Sequence, residues 1–155
     1  MPTPTVSLTV SKILPCRPAE AFRAWTVPEL FQQWFTPGPG IQVTAEVDLR
    51  KGGRYRLTFR MPEDKPSVVA AGEFLVINAP HYLEYTWSWT WGAEPGQPNH
   101  TVVKVEFREL AEERTEVVLT HEGFNDPEDC DGHTKGWTSI LDHMAAALGS
   151  GPASG

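Results

Sequence analysis

Two cysteines in 155 residues, Cys16 and Cys130, are too few for a disulfide framework. A zinc centre is as poorly provided. Cys130-Asp131-Gly132-His133 offers one pair at ligand spacing, and no second pair completes it, so no metal is expected. No window approaches the ~20 apolar residues of a membrane span. The opening MPTPTVSLTV has no basic stretch leading into an apolar run, so no export signal is read and a reducing cytoplasm is the expected setting. Positive charge is also short. Lys and Arg number 13 against 20 Asp and Glu, for a net charge of −7, which is the wrong sign for a phosphate backbone. Nucleic acid and membrane insertion are excluded on these grounds. The sequence has no Gly-x-Ser-x-Gly elbow, no phosphate loop and no dinucleotide fingerprint, and no cofactor is expected.

What the chain does have is aromatic rings in a row. Leu83–Trp91 reads LEYTWSWTW, with Leu83, Tyr85, Trp87, Trp89 and Trp91 alternating with polar residues. Period-two alternation predicts a half-buried antiparallel strand. Three of the chain's six tryptophans fall here. Such a ring face either fills a core or lines a concave ligand pocket.

The remaining elements group around that strand. Alternation predicts a first strand over Thr5–Leu14. Pro18–Trp25 and Pro28–Trp34 read as short helices, each opened by a proline in the tolerated first turn, and Thr26-Val27-Pro28-Glu29 has the spacing of a capping box for the second. Thr36–Gly40 is a breaker cluster. Strands are then predicted at Ile41–Leu49, Tyr55–Met61, Val68–Asn78, Leu83–Trp91, Thr101–Phe107 and Thr115–His121, with a glycine turn at Lys51-Gly52-Gly53. Asp126-Pro127 caps a long helix to Leu148, whose apolar residues recur at helical spacing. Gly132 and Gly136 sit on one side of it, as if something approached the backbone closely there. The expected fold is α+β, a single domain over 5–148 followed by a flexible tail at 149–155. A curved antiparallel sheet of about seven strands is covered by the C-terminal helix, with two short helices after strand one.

Several short motifs then occur in a telling order. They are Ala24-Trp25-Thr26-x-Pro28-Glu29, Trp34-Phe35-x-Pro37, Asp48-x-Arg50-x-Gly52-Gly53-x-Tyr55, Gly72-Glu73-Phe74, Ala79-Pro80-x-x-Leu83, Trp87-Ser88-Trp89, His121-Glu122-Gly123-Phe124 and His133-x-x-Gly136-Trp137. Together they resemble the SRPBCC superfamily, and within it the proteins similar to the C-terminal domain of activators of the Hsp90 ATPase. The resemblance runs from about Val6 to Leu148. It implies the helix-grip fold of the START and birch-pollen-allergen type, with a deep cavity between the sheet and the long helix.

With that cavity in view, the expected ligand-binding residues are Trp25, Trp34, Phe35, Phe59, Tyr85, Trp87, Trp89, His121, Phe124, Trp137, Leu141 and Met144. The leading expectation is binding of a small hydrophobic or aromatic molecule, without catalysis. A second is a cofactor-free cyclase or dehydratase, with His121, and Glu73 beside it, as acid and base. A third, which the resemblance supplies, is a chaperone-interaction module. Strand edges also leave a homodimer open.

Overall fold

The strand and helix signals resolve into β1 (Val6–Leu14), α1 (Pro18–Thr26), α2 (Pro28–Trp34), β2 (Gln42–Val47), β3 (Arg54–Arg60), β4 (Val68–Asn78), β5 (Tyr82–Trp91), β6 (Thr101–Ala111), β7 (Arg114–Phe124) and α3 (Pro127–Gly149). The structure, a computed structural model, describes residues 6–35, 40–63, 68–91, 101–124 and 127–149, without the side chains of 89–91, 129 and 149. The side chains of Trp89 and Trp91, the cap at Asp126 and the tail beyond 149 lie outside the described residues.

All pairings are antiparallel, in one seven-stranded sheet of order β1-β7-β6-β5-β4-β3-β2. Strands β2 to β7 form a meander, and β1 returns to pair with β7. Alternation decides which side chains share the covered face. Val43 and Ala45, then Tyr55, Leu57 and Phe59, then Leu83, Tyr85 and Trp87 are buried. Beyond them Thr101, Val103, Val105 and Phe107 continue the same face on β6, and Thr115, Val117, Leu119 and His121 on β7. The opposite face carries Arg54, Arg56 and Arg60 in solvent. A register shift between Phe74 and Val76 breaks the ladder within β4, a device that sharpens local twist. Among the described residues no helix is long and apolar enough to cross a membrane.

Two expectations are corrected. Thr26 does not cap α2. It is the last residue of α1, and its hydroxyl donates back to the Phe22 carbonyl at 2.8 Å, while Val27 takes the N-cap position with no side-chain bond. Strand β2 stops at Val47, and Leu49 is 41% exposed. The connection 48–53 instead docks on β4: the Gly52 N–H donates to the Phe74 carbonyl and the Phe74 N–H to the Gly53 carbonyl, both at 2.9 Å. Here a pattern of alternating apolar residues loses to turn chemistry.

Helices α1 and α2 close one end of the covered face. Phe22 and Trp25 of α1 meet Phe107 edge-on at centroid distances of 5.9 and 6.0 Å. The Ala45 N–H donates to Gln32 Oε1 at 2.8 Å, tying α2 to β2. Helix α3 runs along β1, where Lys12 Nζ meets Asp142 Oδ1 at 2.8 Å, and turns Trp137, Ile140, Leu141 and Met144 toward the sheet.

Candidate functional site

The sheet registers bring the site together. Trp87 on β5 lies opposite Thr101 on β6, and Val103 lies opposite His121 on β7. Trp137 of α3 descends onto this wall and becomes its hub. Its ring stacks on Trp25 at 6.3 Å and 18°, meets Phe35 edge-on at 5.5 Å, and lies 5.3 Å from Trp87 and 6.1 Å from His121.

Beside this cluster a cavity of about 370 Å³ opens between sheet and α3. Phe35, Phe59, Trp87 and Trp137 line it, four of the residues named from the sequence. Ile41, Met61, Val68 and Ala70 complete the sheet side, and Glu128, Gly132, His133, Gly136 and Ile140 the helix side. The other expected residues with described side chains sit elsewhere in the same core. Trp25 and Tyr85 border a separate void of only about 30 Å³. Trp34, Phe124, Leu141 and Met144 are buried among neighbours and do not reach the cavity wall.

His121 is fully buried, and its hydrogen bonds fix its tautomer. The Trp137 indole N–H donates to Nδ1 at 3.0 Å. Nε2 lies 2.7 Å from Thr101 Oγ1, whose own proton goes to the Trp87 carbonyl at 2.8 Å. The Thr101 oxygen must therefore accept from Nε2–H, and the imidazole is neutral. Burial, and then the nearby His133, hold its pKa down at about 2. An acid or base needs a nitrogen that a substrate can reach, and both nitrogens here are committed to the protein. Glu73 does not supply the partner either: it is exposed on β4, in register with Arg54. His121 thus acts as a brace joining α3, β6 and β7.

Two features of the wall escape a reading of sequence alone. A Cβ built on Gly132 or Gly136 meets nothing within 4 Å. No backbone approaches these glycines, contrary to the close approach their spacing suggests. They leave open space on the cavity side of α3, and their recurrence four apart on the apolar face was the available signal. The second feature is Trp87. The Trp25 indole N–H donates to the Tyr85 hydroxyl at 3.2 Å, that of Trp34 to the Ala24 carbonyl at 3.1 Å, and that of Trp137 to His121. Trp87 Nε1 is buried without a partner among the described residues. Nothing in the one-dimensional pattern separates it from the other three.

The thiols offer little chemistry. Burial, then Glu20, pushes Cys16 up to about 11, and burial raises Cys130. Among the described residues no three His, Cys, Asp or Glu side chains gather to hold a metal.

With the geometry in place, comparison with known proteins is informative. The family described as activator of Hsp90 ATPase homolog 1-like protein matches residues 15–149. No curated protein matches the chain significantly. Among solved structures, protein CV1439 from Chromobacterium violaceum superposes with a TM-score of 0.78 at 21% identity, covering 92% of this chain and 96% of that one. PFC0360w, an Hsp90 activator from Plasmodium falciparum, has a TM-score of 0.69 at 25% identity over 92% and 96% of the two chains. CalU16 from Micromonospora echinospora has a TM-score of 0.66 at 20% identity, over 94% of this chain and 76% of that one.

Proposed function

This chain belongs to the activator of Hsp90 ATPase homolog 1-like family of the SRPBCC superfamily, and from that premise we propose that it binds a small apolar or aromatic molecule between its sheet and α3. The supporting observation is the cavity itself. At about 370 Å³ it exceeds the roughly 300 Å³ at which ligand pockets begin, and aromatic and aliphatic side chains make up most of its wall. A domain built only to dock would gain stability by packing that volume solid. Catalysis ranks behind binding because His121 is spent on Trp137 and Thr101. The test is thermal melting against a panel of neutral aromatic hydrocarbons and lipids. A ligand at a hundredfold excess over its Kd should raise the melting temperature by about 5 °C or more. A flat response across the panel counts against the proposal.

A second reading, docking to an Hsp90-type chaperone, is supported by the family match and by the Plasmodium activator at 25% identity. Retention of the chaperone by the immobilised chain, with stimulation of its ATPase, supports that reading, and failure of both removes it.

A further inference from the structure

Charge is distributed unevenly along this acidic chain. Residues 50–60 hold five of its 13 Lys and Arg and no Asp or Glu, so eight cations stand against 20 acids elsewhere. Three of the five, Arg54, Arg56 and Arg60, project from β3 into solvent on the face opposite the cavity. Alternate side chains of a strand repeat at about 6.8 Å, which places the three cations at roughly 0, 7 and 20 Å along the row. Thr58 fills the remaining position. The neighbours in register do offer carboxylates, Glu73 opposite Arg54 and Glu46 opposite Arg56. Even so, none of the three guanidinium groups has an ion-pair partner among the described residues. Further along the same face cations are paired: Lys104 Nζ meets Glu122 Oε1 at 2.9 Å, and Arg108 Nε meets Glu106 Oε2 at 3.0 Å. A guanidinium stays charged at any working pH, so the row is a permanent positive line on a negative molecule.

We propose that this row is a docking strip for an extended, acidic segment of a partner protein, one with carboxylates on alternate residues. An extended chain laid along β3 repeats its own alternate side chains at the same spacing. Two of its carboxylates then meet Arg54 and Arg56, and a third reaches Arg60. The guanidinium fork receives a carboxylate through two parallel N–H···O bonds. Charge complementarity selects this occupant. A nucleic acid strand carries a charge on every nucleotide, so it would meet Glu46, Glu73 and the net −7 of the chain along with the arginines. The strip and the cavity lie on opposite faces of the sheet, so docking is a separate function, and its failure leaves the cavity reading untouched.

Fluorescence anisotropy with labelled peptides tests the strip on the full chain. The probe is a peptide of alternating Glu and Thr, about 12 residues long and so able to span the row. Its isomer with all the glutamates in one block carries the same charge without the spacing. At low salt the alternating peptide should bind the native chain, and added salt should weaken it. Arg54→Gln, Arg56→Gln and Arg60→Gln together should lower the affinity roughly tenfold or more. The melting temperature should hold, because all three side chains are exposed. Lysine at the same three positions should restore only part of the affinity, since the charge returns without the fork. The block isomer should bind severalfold more weakly than the alternating peptide. Equal affinity of the native and triple-Gln chains, or no binding at low salt, overturns the proposal. A block isomer that binds as tightly overturns the match of spacing. Tighter binding of an oligothymidylate of equal length assigns the strip to a phosphate backbone instead. Self-association of the native chain that the triple-Gln variant loses assigns it to a second copy.

Discussion

At the scale of the residue, His121 carries more structure than its place at the end of an alternating strand announces. The sequence shows that it faces inward with Thr115, Val117 and Leu119. It does not show the two hydrogen bonds, because Trp137 and Thr101 come from elements 16 and 20 residues away. Those bonds give a measurable pH signature. Folded His121 stays neutral down to about pH 2, whereas the unfolded chain takes the proton near its ordinary value of 6.5. The unfolded state therefore binds more protons between those limits. The stabilisation is complete above pH 6.5 and is lost as the pH falls, by about 1.4 kcal/mol per unit. Between pH 7 and 5 the native chain should lose about 2 kcal/mol through this group. His121→Asn, which keeps an acceptor and a donor without a titrating ring, should lack that increment when urea midpoints are followed against pH. Parallel pH profiles would show that His121 is not held neutral.

At the scale of the element, the strands were legible because a period of two maps directly onto inside and outside. That Thr26 closes α1 instead of capping α2 was not, because spacing alone does not say where the preceding helix ends. A sharper case is Gly72, whose need for glycine is invisible in an apolar run. A Cβ there would lie 2.0 Å from the Thr86 carbonyl oxygen of β5, which also accepts the Tyr55 hydroxyl. The Thr86 hydroxyl receives the Glu73 N–H at 2.9 Å, so both strands are fixed where the methyl would go. Gly72→Ala must spread β4 from β5 and should cost about 2–4 kcal/mol in chemical denaturation. A loss under about 0.5 kcal/mol, the range of an ordinary surface change, would mean the strands yield.

At the scale of the molecule, element order and motif order together were enough to place the chain in its fold and family. The division of the rings between core and cavity was not available from either. Tyr85 and Trp87 are identical in pattern, two apart on one strand face. Tyr85 is covered by Trp25 from α1, and Trp87 is left at the wall of the open space. That difference depends on where α1 and α2 end, a three-dimensional fact. The glycine pair of α3 makes the central claim testable. Gly136→Leu places a side chain into open space, and leucine is the better helix former, so the fold should be at least as stable as before. The deciding measurement is the fluorescence titration of N-phenyl-1-naphthylamine, a neutral aromatic probe, against the native chain and Gly136→Leu. The account predicts saturable one-to-one binding to the native chain and an affinity lower by roughly tenfold or more in the variant, with its melting temperature unchanged or raised. Equal affinity in the two chains would contradict it.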